Sequence, residues 1–86
     1  MTGVNDDPPS IAEPKRYVLQ FLTDQWEWEE EATADTVDQA RAVARDALTN
    51  LIREEQPELA CITLTEDGRK IGVWDWVDAQ PIWSWF

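Results

Sequence analysis

All six tryptophans of this chain fall in three copies of one pattern, Trp26-Glu27-Trp28, Trp74-Asp75-Trp76 and Trp83-Ser84-Trp85. Residues two apart share a face of a β-strand and diverge on a helix, so each pair marks a strand with an indole-bearing face. Three such strands in 86 residues commit most of the chain to one sheet. A chain this short forms one domain and buries only about 60 to 65% of the surface its unfolded form exposes, which leaves a thin core.

Eighteen acidic residues against seven basic ones give a net charge of −11. A field of that sign repels phosphate backbones and anionic lipid surfaces, so direct nucleic-acid binding and membrane association are not expected. There is no histidine, the side chain that most readily moves protons near neutral pH. The single cysteine, Cys61, cannot close an internal disulfide, which points away from the bridge-stapled secreted domains and towards a reducing cytoplasm. No apolar run approaches the roughly 20 residues that span a bilayer, and none reads as a signal segment.

Met1 to Pro14 is broken by prolines and short of apolar residues, and reads as a disordered tail ahead of a single domain over residues 15–86. Lys15 to Thr23, with Tyr17, Val18, Leu19, Phe21 and Leu22, predicts a first strand that is apolar on both faces. Asp24-Gln25 turns it into a weaker strand over Trp26 to Glu31, where consecutive glutamates are poor strand formers. A helix then starts at Asp35 or Thr36. Val37, Ala40, Ala44, Ala47, Leu48 and Leu51 form its apolar stripe, Asp38, Arg41, Arg45, Asn50 and Arg53 its polar side, and it stops near Glu55 ahead of Pro57.

Asp67-Gly68 predicts a two-residue hairpin that sets Leu64 against Ile71, Ile62 against Val73, Thr63 against Gly72 and Cys61 against Trp74. A second hairpin centred on Ala79-Gln80 sets Trp76 against Trp83 and Trp74 against Trp85. In that register Ile62, Leu64, Ile71, Val73, Val77 and Ile82 share the face that the helix covers, with Asp75 among them. Cys61, Trp74, Trp76, Trp83 and Trp85 share the face left uncovered. The fold class that follows is α+β, a two-layer sandwich of one amphipathic helix on a mainly antiparallel sheet of four or five strands, ordered ββαβββ or βαβββ.

Between Lys15 and Trp76 the order of features resembles a family of short, uncharacterised domains common in alphaproteobacteria. The resemblance rests on Arg16-Tyr17 through Phe21 and Asp24, the acidic stretch Glu27 to Asp35, the helix Thr36 to Leu51 and Thr65-Glu66-Asp67-Gly68-Arg69, and spans about two thirds of the chain. It implies the same α+β architecture and carries no activity, since that family has none established. Trp83-Ser84-Trp85 and the proline-rich tail depart from its pattern.

Four indoles on one face would present roughly 600 to 1,000 Å², as much as the largest apolar patch usual on a soluble monomer. The candidate partner-binding residues are therefore Trp74, Trp76, Trp83 and Trp85, with Trp26 and Trp28, and the partner is another protein or a second copy of the chain. Capping by the tail, Tyr17 or Phe86 is the structural alternative. Glu27, Glu29, Glu30, Glu31 and Asp35 form a candidate acidic patch, read either as a solvated strand end or as a phosphate-like array for a basic groove. Their spacing resembles no calcium loop, and neither a metal nor another cofactor is expected. Cys61 has no neighbouring base in sequence and reads as a structural thiol. The expected function is thus a non-catalytic acidic interaction module. The alternative is a nucleic-acid mimic that inhibits a DNA- or RNA-binding protein, of the kind phages deploy against host defence.

Overall fold

The computed structural model describes residues 15–86, and the expected tail over residues 1–14 lies outside them. The elements run β1 (Lys15–Thr23), β2 (Glu27–Ala34), α1 (Val37–Glu55), β3 (Ala60–Glu66), β4 (Arg69–Val77) and β5 (Gln80–Trp85). The strands form one antiparallel sheet in the order β2-β1-β3-β4-β5, with α1 on one side, so the ββαβββ form of the α+β expectation is the one adopted.

Strand β1 alternates strictly: Tyr17, Leu19, Phe21 and Thr23 are buried, while Val18, Gln20 and Leu22 turn to the other side and stay at least partly exposed. Both faces carry apolar residues, as expected, but only one is buried, because only one layer lies against the strand. At the turn, the Thr23 hydroxyl accepts from the backbone N–H groups of Gln25 and Trp26. Asp24 Oδ1 accepts from the N–H groups of Glu58 and Leu59 at 3.1 and 3.3 Å, tying the β1–β2 turn to the loop that enters β3.

Helix α1 has 19 residues and begins behind Thr36, whose hydroxyl accepts from Gln39 N–H while the Gln39 side chain accepts from Asp35 N–H. That exchange satisfies donors that a bare helix start leaves orphaned, and Asp38 in the first turn suits the positive end of the helix. The helix closes on Gln56 in the left-handed region, whose N–H donates to the Ile52 carbonyl, one residue before Pro57. Ala40, Ala44, Leu48 and Leu51 are its buried residues, as the stripe predicts. At about 1.5 Å per residue it is near 28 Å long.

The β3–β4 hairpin turns on Asp67-Gly68, both at positive φ (49° and 86°), and pairs Glu66 with Arg69 and Thr65 with Lys70 as expected. The register then shifts between Leu64 and Thr65: Leu64 faces Gly72, Thr63 faces Val73, Ile62 faces Trp74 and Cys61 faces Asp75. Ile71 is the extra residue of a β-bulge, and a one-residue slip sends every later side chain of β4 to the opposite face. The predicted division of faces is overturned. Trp74, Trp76, Trp83 and Trp85 share the helix side with Ile62 and Leu64, while Cys61, Val73, Asp75, Val77 and Ile82 lie on the open side.

The second hairpin turns on Asp78-Ala79, both at positive φ (52° and 64°), rather than on Ala79-Gln80. Trp74 therefore opposes Trp83 and Gly72 opposes Trp85, a slip of two that keeps the indoles on one face. One helix-side row now crosses the whole sheet, Trp28–Phe21–Ile62–Trp74–Trp83, from edge to edge.

Gly72 is the small residue this arrangement requires. A Cβ there would press into the six-membered ring of Trp83 and come within 2.7 Å of the Ser84 carbonyl. Gly72→Ala is expected to lower stability by about 2 to 3 kcal/mol, the usual penalty for forcing a group into a packed site. A urea-unfolding midpoint that falls with an unchanged slope is the measurement that checks it.

Candidate functional site

Two aromatic clusters stand at opposite margins of the aliphatic core. At the β2 edge, Trp28 stacks on Phe21 with ring centres 4.3 Å apart and planes 10° from parallel, and Trp26 lies over Trp28 at 3.7 Å. Trp28 Nε1 donates to Glu30 Oε2 at 3.1 Å. Trp26 precedes the strand, stays exposed and packs on Trp28 by folding back at the turn.

At the other margin Trp74 is 8% exposed and its Nε1 donates to the Arg41 carbonyl of α1 at 2.9 Å. Trp83 meets Trp74 at 5.3 Å and Trp85 edge-on at 5.0 Å. The Arg41 guanidinium carbon sits 4.8, 4.9 and 5.7 Å from the ring centres of Trp83, Trp85 and Trp74. Cation–π attraction and a 3.4 Å contact to Asp38 hold it there. Among the described residues Arg41 Nε and Trp83 Nε1 are buried with no hydrogen-bond acceptor, so the cluster keeps a polar deficit that the ring faces only partly offset.

The candidate tryptophans thus separate into three groups by burial. Trp74 is buried under the helix, Trp28, Trp76 and Trp83 are partly buried, and Trp26 and Trp85 remain at the surface. Arg41 was expected on the solvated side of α1 and instead points at the indoles. Its position was readable, because Val37, Arg41, Ala44, Leu48 and Leu51 are themselves spaced by fours and threes along the apolar stripe.

Strand alternation also divides the acidic patch. Glu27, Glu29 and Glu31 lie exposed on the open face of β2, where Glu29 accepts from Gln20 Nε2 at 2.9 Å. Glu30 turns to the helix side with Trp28, and Asp35 sits at the helix entrance. Beside the glutamates a shallow depression of about 420 Å³ is lined by residues that include Gln20, Leu22, Glu29, Thr63 and Lys70. Farther across the same face Val73, Val77 and Ile82 surround Asp75, which stands opposite Cys61 rather than towards the helix as expected. Burial, and secondarily the Asp75 carboxylate, push the Cys61 thiol above its ordinary value, the reverse of what an activated nucleophile needs.

Tyr17 is fully buried and its hydroxyl donates to Glu66 Oε2 at 2.7 Å, with Lys15 Nζ 3.7 Å from the same oxygen. Among the described residues no group of three His, Cys, Asp or Glu side chains is arranged to hold a metal. No family model matches the chain, and no curated protein or solved structure matches it.

Two outcomes follow from these contacts. Replacing Arg41 by Met keeps the side-chain stem and removes the charge, and is expected to lower stability by about 1 to 2 kcal/mol, read from the urea midpoint of tryptophan fluorescence. Desolvation, the hydrogen bond to Glu66 and its negative charge push the Tyr17 phenol from 10.0 up to about 12. A raised acid in the folded state stabilises fully below the unfolded value near 10, and that contribution is lost as pH rises towards about 12. Tyr17 is the sole tyrosine, so phenolate absorbance should titrate near 12 in the folded protein and near 10 in concentrated urea.

Proposed function

We propose that the chain is a non-catalytic, acidic protein-interaction module working in the cytoplasm. The observation that carries this reading is a five-stranded sheet with a helix on one side and, among the described residues, nothing on the other. That open face combines an aliphatic area around Val73, Val77 and Ile82 with the glutamates of β2, a mixture suited to protein contact. The aromatic contribution comes from the margin, where Trp85 is 59% and Phe86 69% exposed. The raised Cys61 thiol and the lack of histidine support a non-catalytic role. No helix is long and apolar enough to cross a membrane among the described residues.

The second reading, a nucleic-acid mimic, draws on Glu27, Glu29 and Glu31 projecting from one side of β2 at steps of about 6.8 Å. A regular row of charges of this kind suits a basic groove that normally holds a phosphate backbone.

Affinity capture with the full chain separates the readings when run with face-specific variants. Val73→Lys on the open face is expected to abolish capture of the partner, whereas Arg45→Glu on the exposed side of α1 leaves it intact. Partners retained equally by both variants would refute the module reading. For a mimic, capture would instead vanish at raised salt, be competed by duplex DNA and depend on Glu27, Glu29 and Glu31.

A further inference from the structure

Among the described residues the sheet has two free edges, and they are built differently. In β5 the Phe86 N–H donates inward to the Ile71 carbonyl at 3.1 Å, and Val77–Gln80 closes the two-residue turn. Backbone groups alternate in direction along an antiparallel strand, so those of Gln80, Ile82 and Ser84 face β4 while those of Trp83 and Trp85 face outward. Pro81 also faces outward and has no N–H to offer. In β2 the Thr23 N–H to Trp26 carbonyl bond at 2.9 Å turns outward the backbone groups of the residues whose side chains lie on the open face. Its outward backbone groups belong to Glu27, Glu29, Glu31 and Thr33. The β2 edge is thus screened by three carboxylates, the usual protection against strand addition, and the β5 edge has only Pro81.

We infer that β5 pairs with β5 of a second copy, antiparallel about a two-fold axis at Ser84, to give a continuous ten-stranded sheet. This deepens the interaction-module reading by naming a partner. Self-complementarity selects the occupant, because the outward backbone groups of Trp83 and Trp85 are symmetric about Ser84, and charge permits it. With a net charge of −11 a second copy is repelled at most approaches, but Gln80 to Trp85 contains no ionisable group. In this register the two Asp78 residues are about 40 Å apart and the two glutamate edges a similar distance, several times the roughly 8 Å screening length at physiological salt.

The register follows from which groups are free. Trp83 opposite Trp85 of the second copy, and the reverse, makes four backbone hydrogen bonds and leaves Pro81 outside the bonded pairs. The helix-side indoles of Trp83 and Trp85 then lie beside their counterparts, covering the most exposed tryptophan of the chain. Ser84 faces its own copy across the axis with a Cα separation near 4.5 Å, close enough for a disulfide if both were cysteine.

Sedimentation velocity of the full chain across a wide concentration range is expected to show a monomer–dimer equilibrium that persists at high salt. Ser84→Glu, which sets two carboxylates face to face at an exposed position, is expected to weaken dimerisation by more than about tenfold with unchanged far-ultraviolet dichroism. In a Cys61→Ser background, Ser84→Cys is expected to form an intermolecular disulfide on mild oxidation. Ile82→Cys, whose copies would lie about 13 Å apart, is expected not to. A monomer at every concentration, a dimer indifferent to Ser84→Glu, or equal cross-linking at both positions would each overturn the edge pairing. Such a failure is distinct from failure of the module reading, which Val73→Lys tests on the open face of β4 by capture of a partner rather than by self-association.

Discussion

A single extra residue decides what this protein buries. Without the bulge at Ile71, the Asp67-Gly68 turn would carry a straight register down the hairpin and deliver Val73 and Val77 to the helix. With it, Trp74 and Trp76 arrive there instead, Trp83 follows through its pairing with Trp74, and the helix closes over indoles. The larger apolar surface wins: each indole offers roughly 150 to 250 Å² for burial, more than a valine does, and a short chain has little other material for a core. The bulge is what permits a favourable turn and favourable burial at once, because the turn alone would impose the wrong parity. Gly72 then becomes necessary, since the ring of Trp83 occupies the place a side chain would take.

Much of this architecture was legible because several signals are local. Thr36 with Gln39 marks the start of the helix, Pro57 its end, and Ala40, Ala44, Leu48 and Leu51 its buried stripe. Asp67-Gly68 identifies its turn without reference to the rest of the chain. The bulge left no such mark. Both alternating sets of β4, Ile71–Val73 and Trp74–Trp76, are apolar, so the pattern that normally fixes register is equally content with either face. Nor did Asp78-Ala79 stand out as a turn, because Ala79 is an unusual residue for the positive φ of 64° it adopts. Arg41 stands at the spacing of the apolar stripe, and the indoles beneath it are what make a guanidinium favourable there.

The same inversion changes which surfaces are available to other molecules. Aliphatic residues left on the open face are smaller than the indoles they replace and are interrupted by Asp75, Thr63 and Gln20, so that face is mixed in character rather than a bare aromatic plate. Aromatic exposure is concentrated at the β5 margin instead, at Trp85 and Phe86. Charge is concentrated at the opposite margin, on β2. The sheet is therefore polarised across its width, acidic and self-repelling at one edge, neutral and aromatic at the other.

Arg41 connects that polarity to the stability of the edge. A terminal strand pairs along one side only and is ordinarily among the first elements to open. Here the guanidinium reaches from the helix to Trp83 and Trp85, at 4.8 and 4.9 Å, and ties the outermost strand to the core by a contact independent of the ladder. An edge strand held in its extended form before it meets anything loses less conformational freedom on pairing, so more of the hydrogen-bond and aromatic contact energy remains for association. The deficit at Arg41 Nε and Trp83 Nε1 works in the other direction, since two buried donors without acceptors weaken the clamp that orders the strand. The net effect favours order, because the Trp74 hydrogen bond to the Arg41 carbonyl fixes the helix turn from which the guanidinium extends and does not depend on those two donors.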